Sequence, residues 1–355
     1  MAYSILYVED LDPSSIVHDL QRNGFDVRHH SPEDFEKTLV VTKSFDLLLL
    51  DFRLTAKKAV FDAPTIAQTL RTLNSNAHQD IPIVLISSEE KIKDYYRDFT
   101  SQDLFDISLT KSDLLNNLEK YAQRFKSIVD AYKLIKNTKF NVDKVLSVPD
   151  EIQLDYRITQ KLNSDIRSND VYAFSNFVLN QIVTSIGVLI GEDVLSSRLG
   201  VSKKSKDWES LKDLLDFARY RGVFSSSYNR WWADQVLYWW KELTNSELSL
   251  RRMNADQRTK IISKETGLNL TALSKTKFAN SSNFWTICKE TYLPIDPIDG
   301  LELEIRQQLP WQEKEYLSIQ AAIEPNKFDA HSNAFYLKHL KPSEAKRLSE
   351  IRRNH

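Results

Sequence analysis

The stretch Phe45-Asp46-Leu47-Leu48-Leu49-Leu50-Asp51-Phe52-Arg53-Leu54 constrains this chain more than any other. A short, continuous apolar run bounded by polar residues predicts a strand buried on both faces, as in a parallel sheet. The carboxylate that follows must then stand at the strand's C-terminal end. In open parallel α/β sheets that edge is where ligands bind. Asp51 is the first candidate for chemistry on this ground alone.

The flanking sequence supplies the rest of such a sheet. Residues 3–8 (YSILYV) are a short β-rich run that ends in Glu9-Asp10. Asp12 and Pro13 open a helix that Gly24 closes. Residues 25–28 form a second strand, and Ser31 caps the helix after it. Beyond the Asp51 strand and a polar loop at 55–62, a helix is expected over 64–73. Residues 81–86 (IPIVLI) form the fourth strand, ending in Ser87, and a charged helix follows over 89–99. A weaker fifth strand at 104–109 runs into Thr110-Lys111, and Ser112-Asp113 cap a long final helix. Its apolar residues recur at helical spacing, among them Leu114, Leu118, Tyr121, Phe125, Ile128 and Tyr132. The alternation predicts a doubly wound five-stranded parallel sheet, followed by a mainly α-helical second domain.

Parallel strands share one C-terminal edge. Glu9, Asp10, Asp51, Ser87 and Lys111 should therefore converge. Three carboxylates held together raise one another's pKa unless a divalent cation neutralises them. Hard oxygen ligands of this kind suit Mg²⁺, which completes its shell with water and phosphate oxygen. A carboxylate nucleophile beside Mg²⁺, with a lysine and a serine for the phosphoryl oxygens, has the chemistry of a phosphoryl acceptor.

On these residues, positions 1 to about 125 resemble the receiver domain of two-component response regulators. The match rests on Glu9-Asp10 after the first strand, Asp51 after FDLLLL, Ser87 after IPIVLI and Lys111 in ISLTKS. The resemblance implies that Asp51 is the phosphoacceptor and that Ser87 and Lys111 contact the phosphoryl group. It further implies that Glu9, Asp10, Asp51 and the backbone carbonyl of Arg53 hold Mg²⁺. A histidine kinase or phosphotransfer protein would be the phosphodonor. Three positions depart from the family pattern. Ser112 replaces the proline that usually follows the lysine, Ser108 replaces the common aromatic switch residue, and the loop at 55–62 is long, basic and without glycine.

The remainder is resolved more coarsely. The last receiver helix is expected to run on to about residue 136, where it could form a stalk or a dimer seam, or pack on the second domain. Residues 137–150 have linker composition, 151–324 look mainly helical, and 325–355 form a charged helix or tail. Four tryptophans fall between 231 and 240. Trp231, Trp232, Trp239 and Trp240, flanked by Arg230, are either a large aromatic core on one helix or an anchor for a protein partner such as a downstream effector. Residues 256–275 suggest two helices around Thr266-Gly267-Leu268, a weak helix-turn-helix signal. The net charge of −1, from 48 basic and 49 acidic residues, argues against a nucleic-acid partner. Cys288 is the single cysteine, which excludes an internal disulfide and a cysteine zinc site. No signal peptide and no membrane span is expected, and the setting is read as cytoplasmic. The functional expectation is a response-regulator-like signalling protein, not an enzyme, whose helical domain acts through protein contact. A DNA-binding regulator and a receiver-controlled C-terminal enzyme are the alternatives.

Overall fold

The computed structural model describes residues 3–42, 44–54, 61–73, 80–88, 104–165, 170–245, 248–327 and 330–353. The chain divides into two compact units: residues 1–148, 156–179 and 221–227 make the first, and 149–155, 180–220 and 228–355 make the second. The helix expected at 89–99 and loop positions 55–60 lie outside the described residues.

The first unit is built on β1 (Tyr3–Val8), β2 (Phe25–His30), β3 (Leu47–Asp51), β4 (Ile83–Ser87) and β5 (Ile107–Thr110). They form one all-parallel sheet in the order β2-β1-β3-β4-β5. This is the doubly wound order that reverses direction beside the first strand. The leucine run takes the central position, with Leu47, Leu48, Leu49 and Leu50 all fully buried. Helices α1 (Ser14–Arg22), α2 (Phe35–Thr42) and α3 (Ala63–Leu73) connect the first four strands.

Capping differs in detail from expectation. The second helix is opened by Asp34, whose Oδ1 accepts from Lys37 N, and not by Ser31. The final helix is two helices, α4 (Lys111–Asn116) and α5 (Leu118–Asn137), broken at Asn117. Thr110 is the cap, accepting from Asp113 N at 2.9 Å, in place of Ser112. A threonine at the end of β5 already has extended backbone, which an N-cap requires.

Two aspartates hold the opposite edge of the sheet. Asp46, just before β3, accepts from Ser4 N and Ser4 Oγ and pairs with Lys133 at 2.8 Å. Asp106, just before β5, accepts from Ile83 N, Arg71 Nη2 and Tyr132 OH. Arg71 stays charged: burial opposes the charge, but Tyr132 and Asp106 push its pKa up. The Arg71 guanidinium also lies 3.8 Å from the ring centroid of Tyr172. Tyr172 belongs to α8 (Val171–Phe177), which follows α6 (Val142–Leu146) and α7 (Tyr156–Gln160) and packs against α5.

The second unit is mainly helical, with short two-stranded ribbons. Its helices are α9 (Glu192–Leu199), α10 (Trp208–Leu214), α11 (Ala233–Leu243), α12 (Ala255–Thr266), α13 (Ile319–Ile323), α14 (Ala330–Lys338) and α15 (Pro342–Arg353). Three sequence expectations change here. The tryptophan stretch is not one helix: β7 (Arg230–Trp232) pairs antiparallel with β6 (Leu189–Gly191), and α11 begins only at Ala233. The second helix expected after Gly267 does not form. Residues 268–273 run extended instead, with Asn269 N on Asp207 Oδ2, Thr271 N on Ser205 Oγ and Leu273 N on the Gly200 carbonyl. Within the stretch read as mainly helical, β8 (Gly300–Glu302) and β9 (Tyr316–Ser318) pair antiparallel before α13. In each case backbone donors find partners far along the chain, which local periodicity does not report.

Candidate functional site

The C-terminal edge of the sheet gathers the expected residues. Glu9 and Asp10 follow β1, Asp51 ends β3, Ser87 ends β4, and Lys111 follows β5. All but Lys111 are at least nine-tenths buried. Carboxylate oxygens of Glu9, Asp10 and Asp51 lie within 4.8 Å of one another. Lys111 Nζ reaches between two of them, 2.5 Å from Glu9 Oε2 and 3.0 Å from Asp51 Oδ1. Burial alone would lower the Lys111 pKa, but the bond to Glu9 and the charge of Asp51 outweigh it and raise it. The ammonium is therefore firmly protonated.

Three donors hold the Glu9 carboxylate. Besides Lys111, its Oε2 accepts from Tyr7 OH at 3.0 Å, and its Oε1 accepts from Leu11 N at 3.2 Å. Its backbone carbonyl bonds His29 Nε2 at 2.8 Å. Burial, then the charge of Glu9, drives the Tyr7 phenol far above its ordinary pKa, so it remains a donor. Sequence reasoning missed Tyr7. The signal was present: residues two apart on a strand face the same way, so Tyr7 shares a side with Glu9. His29 carries no such signal, because its partner is a backbone atom set by strand pairing.

Ser87 Oγ is buried without a hydrogen-bond partner among the described residues. Ser108 is half-buried on β5 beside Leu85, and the Lys111–Ser112 peptide bond is trans. Arg53 is exposed, two residues beyond Asp51, with its guanidinium 5.9 Å from the Phe52 ring centroid. The tryptophans are placed in the second unit. Trp231, Trp232 and Trp240 are each 1% exposed and belong to its packed interior, while Trp239 is half-buried. Trp240 Nε1 donates to the Leu248 carbonyl at 2.7 Å, and Arg219 stacks 5.5 Å from the Trp231 ring. Arg230 donates from Nε to the Val183 carbonyl at 2.5 Å.

The donor set at Asp51 fits a divalent cation. Three buried carboxylates against one ammonium leave an excess of negative charge in a low-dielectric site, which a cation with hard-oxygen preference would offset.

No protein-family model matches the chain, and no curated protein matches it in sequence. Solved structures do match. The CheY-like receiver domain of a response regulator from Methylobacillus flagellatus is 19% identical, covering 35% of this chain and 99% of that one at a TM-score of 0.28. The response regulator TrrA from Thermotoga maritima, in complex with Mg²⁺ and BeF, is 21% identical, covering 35% and 98% at a TM-score of 0.28. The BeF₃-activated receiver domain of RstA from Klebsiella pneumoniae is 23% identical, covering 34% and 97% at a TM-score of 0.25. The strand order and the residues on its C-terminal edge define a receiver-like domain, joined to a helical region of unrecognised type. No helix among the described residues is long and apolar enough to cross a membrane.

Proposed function

We infer that this chain is a response-regulator-like signalling protein whose receiver-like domain accepts a phosphoryl group on Asp51. The observation that carries the reading is the position of Lys111 Nζ, 3.0 Å from Asp51 Oδ1, beside a carboxylate trio within 4.8 Å. An Asp51 carboxylate oxygen attacks phosphorus, the bond to the donor's leaving group breaks, and the leaving group keeps the electron pair. Bound to Glu9, Asp10 and Asp51, with the Arg53 carbonyl as a further ligand, Mg²⁺ would neutralise charge on the phosphoryl oxygens. Lys111 already sits at Asp51 and would meet one of those oxygens, while Ser87 Oγ has its hydrogen-bonding capacity to offer another. A histidine kinase or phosphotransfer protein is the matching phosphodonor, because phosphohistidine presents phosphorus to a carboxylate without further activation of the nucleophile. The helical region would read the phosphorylated state through protein contact, as effector control or as a phosphate sink.

The test is direct. Incubation of the full chain with Mg²⁺ and radiolabelled acetyl phosphate is expected to give an acid-stable, base-labile label on one residue. Asp51→Asn is expected to abolish it, and chelation of the metal to suppress it. Undiminished labelling of the Asp51→Asn protein would remove Asp51 from the role.

A further inference from the structure

The second unit contains a cavity of about 260 Å³ that the Asp51 chemistry does not use. It lies where the β6–β7 ribbon meets the first turn of α9. Three independent features mark it. The chain enters its wall at Thr184 straight from a π-helical turn, Val178–Val183, a geometry that is rare and concentrates at functional sites. Tyr292, at its rim, is 61% exposed and holds φ at 57°. A bulky aromatic residue adopts the left-handed region only when its surroundings impose it. The third feature is the pairing of Gly191 with Arg230 across the ribbon. A Cβ at Gly191 would collide with Arg230 Nη1, so glycine is what lets the guanidinium lie along this wall.

Charge and shape then narrow the occupant. Asp193 and Glu315 line the cavity, but each is paired with a lysine, Lys203 and Lys289 respectively. Arg230 is fixed through backbone carbonyls, Nε on Val183 and Nη1 on Asn229. The first turn of α9, just after Gly191, carries Glu192 and Asp193, but Lys212 and Lys203 hold those carboxylates, so the positive corner is the Arg230 guanidinium. Tyr228, Tyr292 and Tyr316 line the cavity together with Ile186, Val194 and Ile287, and the Tyr228 ring lies 5.8 Å from the guanidinium. The volume is slightly under the roughly 300–1,000 Å³ of pockets that hold drug-sized ligands, so a peptide is too large.

We propose that this cavity binds a small planar molecule bearing one oxyanion, a carboxylate or a phosphate, with the oxyanion at Arg230 and the ring among the tyrosines. The site is independent of Asp51. It would give the helical region a chemical input of its own.

Two probes separate the two oxyanions: adenosine monophosphate and nicotinate, each titrated calorimetrically into the full-length protein. Saturable one-to-one binding of either is the expected result, and which probe binds identifies phosphate or carboxylate. Tyr292→Asn suits the left-handed backbone while removing the ring, so it should weaken binding about tenfold with no fall in melting temperature. Arg230→Gln should weaken it by about tenfold or more. Failure of both probes to saturate at millimolar concentration overturns the proposal. So does an affinity equal to wild type in either variant that retains the wild-type circular dichroism spectrum.

Discussion

At Glu9 three donors meet one carboxylate: Lys111 Nζ, Tyr7 OH and Leu11 N. The geometry fixes Oε2 on Lys111 and Tyr7, and Oε1 on Leu11, before any ligand arrives. Tyr7→Phe removes one donor from a fully buried position without changing shape. A hydrogen bond to a charged group contributes about 1.5–3 kcal/mol, so the variant should lose roughly that much stability in urea titration. A midpoint equal to wild type would show that Lys111 and Leu11 suffice. Asp46 gives a second test, with a definite sign. Burial works against its charge, but the bonds from Lys133 and Ser4 hold its pKa below the ordinary 3.8. The stability this adds is present above the unfolded-state value and is lost as pH falls through the folded value. Asp46→Asn should therefore lower the melting temperature at neutral pH. The gap to wild type should close as the solution is acidified below about pH 4. A gap that persists at lower pH would assign the loss to packing instead of charge.

The elements explain which parts of the chain could be read directly. Leu47 to Leu50 gave β3 because a strand buried on both faces leaves a mark that few other structures share. Leu49 is fully buried between β1 and β4, so Leu49→Ala should cost about 2–5 kcal/mol by denaturant unfolding. The five residues of the Asp51 site were legible for the same reason, since strand order carried them to one edge. Residues 229–240 were not, because β7 is only three residues long and its partner β6 lies some forty positions earlier. A three-residue strand that becomes a helix at the next residue has no period to detect. The region after Gly267 failed differently. Gly267 ends α12 with φ at 74°, as a helix terminus requires, but the chain beyond it is held extended by Asp207, Ser205 and Gly200. A Cβ at Gly267 would meet nothing within 4 Å. Gly267→Ala should thus report backbone strain alone, about 1 kcal/mol of lost stability. A loss of several kcal/mol would mean that the extended segment had shifted as well.

For the molecule as a whole, the path of the first unit matters more than its sheet. A receiver-like sheet needs only the residues through its last helix, yet residues 156–179 and 221–227 belong to the same compact unit. The reason is visible on α5, where Ile128, Val129, Ala131, Tyr132 and Ile135 are all buried along one helix. Part of that covering comes from α8, and the ring of Phe140 packs edge-on against Phe174 at 5.6 Å. Tyr172 stacks on Arg71, the residue that joins α3 to the Asp106 carboxylate between β4 and β5. The far edge of the sheet is thereby tied to a helix that follows it in sequence, and the unit ends well beyond the last sheet helix. Removing that helix strips apolar surface from α5 and exposes the Arg71–Asp106 pair to water, where ion pairs contribute much less. A chain ending at residue 136 should therefore melt below one ending at residue 179, although both keep all five strands and every residue of the Asp51 site. Restoring residues 137–179 should raise the melting temperature by several degrees, and Tyr172→Ala in the longer chain should give back part of that gain. Equal melting temperatures for the two lengths would mean that α8 merely rests on α5, and that the sheet and its own helices carry the stability of the unit.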